Sequence, residues 1–127
     1  MRFAEQAFDS QNTVQGYTTD RITINERDYY ASLVVTPDRI IPDWGPVSID
    51  QLGEPQVEAL LADQPQVIII GTGARQQLPE PPTYAALMSH GVGIEIMDTG
   101  AACRTYNILV GEGRRVAAGL MLDAPAD

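Results

Sequence analysis

The sequence has no lysine and only one cysteine, and these shortages exclude several classes of site. A lone Cys103 cannot form an internal disulfide, and with the only histidine, His90, it cannot complete a zinc site. Phosphate-binding P-loops require a lysine, so they are excluded too. All eight basic residues are arginine, which indicates either anion recognition at several sites or, as their scatter favours, codon usage. We expect no metal and no cofactor.

Positive charge is also scarce, since the formal net charge is −9. Such a surface repels phosphate backbones, so nucleic acid is not an expected partner. No apolar run is long enough to span a membrane, and the opening "MRFAEQAFDSQ" contains Glu5 and no apolar core typical of a signal peptide. We therefore expect one domain over residues 1–127, no membrane insertion and a cytoplasmic location.

The first third of the chain predicts an antiparallel hairpin or meander. Ile22 and Ile24 alternate with polar residues as in a strand, residues 25–28 have turn chemistry, and Tyr30 to Val35 predict a second strand. "NTVQGY" can add a short strand before them. The stretch "RIIPDWGPVSIDQLGEP" is broken by proline and glycine and predicts a loop.

The second half alternates between strand and helix patterns. Strands are expected at "QVIII", "VGIEIM" and "RVAAGLML", and helices from about Pro55 to Leu61, at "PTYAALMSHG" and at "TGAACRTYNILV". The second helix should carry Tyr84, Leu87 and Met88 on one face. This order predicts an α/β layer sandwich, in which the crossover makes the first two strands parallel. Their carboxyl ends, where open α/β sheets bind ligands, should therefore meet.

Gly71, Thr72 and Gly73 follow the first of these strands, a common place for phosphate binding. A dinucleotide fingerprint needs a third glycine that opens directly into a helix, and here prolines delay the helix, so no nucleotide is expected. Two interpretations remain. The glycines allow a tight exit from the strand, or they let a backbone amide approach a small anion with Arg75 nearby.

The second junction is "MDTGAACRTYN", where Asp98 or Thr99 is expected to cap the helix. Cys103 then lies near the second turn beside Arg104, and both a helix N-terminus and a cation can stabilise a thiolate. His90 belongs to the far end of another helix, so a buried, inert cysteine is the favoured interpretation. The candidate ligand site comprises Gly71, Thr72, Gly73, Arg75, Asp98, Thr99, Cys103 and Arg104.

Trp44, the only tryptophan, lies between prolines and glycine in the predicted loop. Packing against the edge of the core is the favoured interpretation. The alternative is a pocket wall or a partner anchor, because tryptophan is enriched at interfaces.

"IIIGTG" and "MDT..ACRTYNIL..EGR.VAA.L" resemble a widespread family of small proteins of unknown function. Its best-studied relative is a mitochondrial respiratory complex I assembly factor. The resemblance extends from about Val14 to Leu122 and implies a three-layer fold with a central mixed sheet and an extra small β-layer. It also implies that the last strand runs antiparallel to others, whereas crossover logic makes Arg115–Leu122 parallel, and on this point we follow the resemblance. No catalytic residues follow from it.

The expected fold class is therefore α/β, a three-layer sandwich with a central mixed β-sheet flanked by helices and a small N-terminal antiparallel β-layer. The preferred function is a non-enzymatic interaction or assembly protein that contacts a protein partner through Trp44 and the carboxyl edge of the sheet. The alternative is a small-anion or small-ligand binder, or an unrecognised enzyme, with its site at the Gly71–Gly73 and Asp98–Arg104 edge. No sequence signal indicates an oligomeric state.

Overall fold

A computed structural model describes residues 11–123 of the chain. Residues 1–10, on which the expectation of no signal peptide rests, lie outside the described residues. The first described strands form a small antiparallel sheet in the order β1 (Val14–Thr18), β2 (Arg21–Ile24) and β3 (Arg27–Tyr29). Asn25 and Glu26 both have positive φ, 53° and 67°, which suits a two-residue hairpin turn. The predicted antiparallel opening is confirmed.

The main sheet has five strands in the order β5-β4-β8-β6-β7. They are β4 (Leu33–Thr36), β5 (Arg39–Ile41), β6 (Val67–Thr72), β7 (Gly93–Met97) and β8 (Val116–Met121). β6 is parallel to both β7 and β8, while β4 is antiparallel to β8 and β5. The last strand therefore follows crossover logic beside β6, and the expected antiparallel direction is correct only beside β4.

Three α-helices connect these strands within the described part of the chain: α1 (Glu54–Leu61), α2 (Pro81–Met88) and α3 (Thr99–Gly111). Prolines occupy the first turns of α1 and α2, where a missing amide hydrogen costs no helical bond. α3 begins after Asp98, whose side chain accepts a hydrogen bond from the Ala101 amide at 2.8 Å. Gly91, with φ of 73°, follows α2.

Two sequence expectations were too coarse. The strand predicted from Tyr30 to Val35 is divided, because β3 ends at Tyr29 and β4 begins at Leu33 in the other sheet. The predicted loop contains both β5 and a turn of 3₁₀ helix, Ile49–Gln51. Alternation statistics within a window cannot show that neighbouring residues pair with different sheets.

Alternating residues of the main sheet build a core on each face. Ile69 points toward α3 and the small sheet, together with Ile22, Ile24 and Tyr106. Ile68 and Ile70 point to the opposite face, where Trp44, Val57, Leu60 and Leu87 cover them. The expected three-layer α/β fold with a mixed central sheet is thereby confirmed.

Candidate functional site

Three chain segments meet where β6, β7 and β8 end. Gly71 on β6 is in register with Met97 on β7 and with Leu120 on β8. The Gly71–Gly73 loop, the start of α3 and the residues after β8 consequently share one edge of the sheet. We refer to this place as the carboxyl edge.

Gly71 lets α3 approach the sheet closely. A Cβ atom at this position would lie 2.8 Å from Cα of Thr99 and 3.0 Å from Cβ of Ala102. The 2.8 Å contact is with backbone, so a larger residue would displace the helix. The first glycine of the loop thus has a packing role.

The buried hydroxyl of Thr99 joins the ends of two strands to the start of α3. It accepts a hydrogen bond from the Gly73 amide at 2.7 Å and donates one to the Met121 carbonyl at 2.7 Å. The Thr99 amide in turn donates to the Gly73 carbonyl at 2.8 Å. The Gly73 amide is therefore already engaged within the protein, whereas the anion interpretation needs a backbone amide of this loop to bind the anion.

The Thr72 side chain holds the next residues of the loop. Its hydroxyl lies 2.7 Å from the Arg75 carbonyl and 3.2 Å from the Met97 carbonyl, and it accepts a hydrogen bond from the Gln77 amide at 2.9 Å. The single hydroxyl hydrogen can be donated to either carbonyl. Thr72 therefore fixes the path of the loop, while Arg75 is exposed.

The loop already contacts a carboxylate of the same chain. The Ala74 amide donates to Oδ1 of Asp123 at 3.2 Å, and a Cβ on Gly73 would collide with that carboxylate. Gly73 has φ of +96°, a conformation that favours glycine. Of the two interpretations of the loop, a tight exit from the strand fits the glycines well. The negative charge beside the loop is the carboxylate of Asp123, a residue of the same chain.

Cys103 is buried on α3, and burial raises the pKa of its thiol from 9.0 to about 12. Arg104, which is exposed, opposes this shift, and Asp98 adds to it. At neutral pH the side chain is therefore a thiol, which is a weak nucleophile. His90 lines a different cavity, between α1 and α2, so the structure does not bring the histidine to the cysteine.

Tyr17 of β1 covers the first turn of α3, with ring carbons 3.5 Å from where a Cβ on Gly100 would lie. Its hydroxyl is buried and has no hydrogen-bond partner among the described residues. Burial raises the pKa of Tyr17, and Asp123, Cys103 and Asp98 raise it further. A cavity of about 240 Å³ adjoins this ring between β1 and α3, lined in part by Cys103 and Arg104.

Two residues of the "ACRTYN" motif fasten the small sheet to α3. The Asn107 side chain accepts from the Val14 amide at 2.8 Å and donates to the Val14 carbonyl at 2.7 Å, as a neighbouring strand would. The Tyr106 hydroxyl donates to the Asn12 carbonyl at 2.8 Å. Sequence reasoning missed both roles, because their partners lie more than ninety positions away along the chain.

Trp44 packs on the opposite face of the sheet, where it is only 7% exposed. Its ring covers Gly119, where a Cβ would lie 2.5 Å from Cη2, and its Nε1 donates to the Gln56 carbonyl at 3.1 Å. This arrangement favours the packing role over an exposed partner anchor. Its backbone amide donates to the Ser32 carbonyl at 2.9 Å, and the Ser32 hydroxyl accepts from the Leu122 amide just after β8, so Trp44 lies next to the carboxyl edge.

Residues 14–121 match the family described as "Protein of unknown function (DUF498/DUF598)". The chain is 26% identical to the "13 kDa major membrane protein" of Francisella tularensis subsp. holarctica, covering 92% of this chain and 96% of that protein. It is 24% identical to the bovine "NADH dehydrogenase [ubiquinone] 1 alpha subcomplex assembly factor 3", covering 85% of this chain but only 59% of that longer protein.

Solved structures share the fold. A Bordetella parapertussis protein is 36% identical, with a TM-score of 0.78 over 90% of this chain and 98% of that one. An outer membrane protein of Bartonella henselae is 26% identical, with a TM-score of 0.71 over 92% and 99%.

The expectation of a cytoplasmic location is wrong. It rests on the lack of a recognisable targeting segment, whereas the Francisella and Bartonella relatives are both named as membrane proteins. Within residues 11–123, none of the helices has the length and apolar character needed to cross a bilayer.

Proposed function

The chain belongs to the DUF498/DUF598 family, and from that premise we propose that it is an interaction protein of the assembly-factor type. The observation that carries the proposal is the similarity to NADH dehydrogenase assembly factors along 85% of the chain. The chain spans about 59% of the bovine relative, so an assembly role for this shorter chain is itself part of what we propose.

The chemistry of the carboxyl edge supports this proposal. The hydroxyls of Thr72 and Thr99 are engaged in fixing the loop and the strand ends. The Cys103 thiol is buried and protonated at neutral pH. These side chains stabilise the fold, and a protein that works by contact needs no more from them.

Reciprocal affinity capture tests the proposal. The full chain, tagged and expressed at its natural level, should co-purify with one protein in constant stoichiometry, and tagging that protein should recover this chain. Both soluble and detergent-solubilised membrane fractions belong in the experiment, with subunits of NADH dehydrogenase as the first partners to check. A tagged chain that elutes alone from both fractions would contradict the proposal.

A second candidate function is favoured by the unpartnered Tyr17 hydroxyl beside the cavity between β1 and α3. Arg104 lines that cavity, so a small anion is the suitable probe. Inorganic phosphate at millimolar concentration should then raise the melting temperature of the wild type but not of Arg104→Gln. Arg75→Gln is the matched control, because Arg75 is exposed and does not line this cavity. Equal behaviour of all three proteins would exclude this candidate.

A further inference from the structure

The face of the main sheet opposite α3 has an open groove. α1 contacts β8 and α2 contacts β7, and between the two helices lies a cavity of about 280 Å³. A cavity of about 150 Å³ holds a benzene-sized group, so this groove has room for about two large apolar side chains. Its lining includes Glu54, Val57, Pro82, Ala86, Leu87 and His90.

α2 is more apolar than its packing in the described structure requires. Apart from Thr83 and the hydroxyl of Tyr84, its side chains are apolar, yet Leu87 is its only buried residue. Tyr84 is 45% exposed, Met88 42%, and Leu78 just before the helix 67%. A helix that is apolar on all sides is typical of an element covered on more than one side, so this surface suits a partner.

Charge indicates what kind of partner fits. Among the described residues that line the groove, one is a carboxylate and none is an arginine. Glu54 lines the groove and Glu80 immediately precedes α2, and both are exposed. In a two-fold dimer this surface would face itself and bring like charges together, which argues against a second copy as the occupant.

We propose that the groove between α1 and α2 binds a basic amphipathic helix of a protein partner. Apolar side chains of that helix enter between Val57 and Leu87, and its basic residues lie near Glu54 and Glu80. This inference rests on the proposed function and deepens it by naming the partner's chemistry and its place of binding.

Two neighbouring alanines of α2 provide a matched test. Ala86 lines the groove, whereas Ala85 is also exposed but does not line it. Ala86→Arg and Ala85→Arg change the net charge identically and preserve helix propensity. The probe is a fluorescent 18-residue peptide designed as an amphipathic helix, with leucine at i, i+3, i+4 and i+7 spacing and lysine elsewhere. A second peptide carries glutamate in place of lysine, and a third serine in place of leucine.

The lysine peptide should bind the wild type and Ala85→Arg with similar affinity, and Ala86→Arg at least about tenfold more weakly, because the added charge occupies an apolar groove. The glutamate and serine peptides should bind far more weakly than the lysine peptide. Amide shifts in the nuclear magnetic resonance spectrum should change along residues 52–57 and 82–90, and not along α3. No binding, equal weakening by both variants, or shifts elsewhere would overturn the proposal. A wild-type dimer that only Ala86→Arg dissociates would also overturn it, by showing a second copy in the groove.

Reciprocal capture separates this inference from the proposed function. If the native partner is recovered equally well with wild type and Ala86→Arg, the interaction role stands and the groove is not its site. If Ala86→Arg loses the partner and Ala85→Arg keeps it, both stand. Failure to capture any partner contradicts the proposed function, and peptide binding would then show only that the groove accepts such a helix.

Discussion

The two faces of the main sheet are covered in different ways. On the α3 face, directional hydrogen bonds hold the layers together: Asn107 pairs with the Val14 backbone, and Thr99 joins β6, β8 and the helix. On the other face, close packing of apolar groups contributes most to holding the layers together, since the Trp44 ring packs over the bare backbone of Gly119. Polar contacts fix one arrangement, because every alternative leaves a buried polar group without a partner.

The difference follows from what each face has to hold. A small sheet needs a covered apolar face to be stable, and this one buries Ile22 and Ile24 by lying against the α3 side of the molecule. The opposite face carries two separate short helices with a groove between them. One face of the main sheet is thus held by polar contacts, and the other is left with a groove.

Removing the Trp44 ring, on the face of the main sheet opposite α3, should have the largest effect on stability. Trp44→Ala should lower the free energy of unfolding by about 4 kcal/mol, because a large buried side chain leaves a cavity over Gly119. Urea denaturation measures this change. Tyr84→Ala, at a half-exposed position on the same face, should change it by less than about 0.5 kcal/mol. Equal effects of the two variants would mean that Trp44 does not fill the core.

Adding one methyl group to Gly71 should strain the contact between β6 and α3. Gly71→Ala should lower the free energy of unfolding by about 2 kcal/mol, since its Cβ would meet the backbone of Thr99. Gly111→Ala is the control, because nothing lies within 4 Å of its Cβ and alanine favours the helix by up to about 1 kcal/mol. Comparable stability of the two variants would contradict the close approach.

The arrangement of the second half was predictable from sequence because it depends on local patterns. The continuous apolar run at β6 and the alternation of strands and helices determine a parallel crossover, and so they also bring the loop at Gly71 to the start of α3. The capping role of Asp98 was also within reach, because an N-cap acts on the next few residues.

The contacts that could not be predicted from sequence are those between residues far apart in the chain. The pairing of Asn107 with Val14 and the contact of Ala74 with Asp123 join residues far apart in sequence, so no window contains both. The buried side of α2 was also hidden, because of the three residues expected on one face only Leu87 is buried, whereas Tyr84 and Met88 are half exposed. A helix that is apolar on every side has no periodicity from which its buried face could be identified.

Removing the Asn107 side chain tests the polar fastening of the small sheet. Asn107→Ala should lower the free energy of unfolding by about 1.5 kcal/mol, because two hydrogen bonds to Val14 are lost from a partly buried place. Hydrogen exchange should accelerate in β1 and β2 and stay unchanged in β6. Ile108→Ala, at an exposed position on the same helix, is the control. Uniform acceleration across both sheets would show that the small sheet does not open separately.

The smallest expected effect concerns the thiol on the α3 face. Burial raises the pKa of Cys103 from 9.0 to about 12, so the unfolded chain loses this proton at a lower pH than the folded chain does. Stability from this group is therefore complete below pH 9 and declines as the pH rises toward 12. Between pH 8 and pH 10, unfolding of the wild type should become easier by about 1 kcal/mol more than unfolding of Cys103→Ala. The comparison with the variant removes the alkaline ionisation of the tyrosines.

Parallel pH profiles would mean that the thiol ionises as readily in the folded protein as in the unfolded one. Iodoacetamide should then modify native Cys103 at the rate of an ordinary exposed thiol, and the α3 face would be more open than its hydrogen bonds indicate.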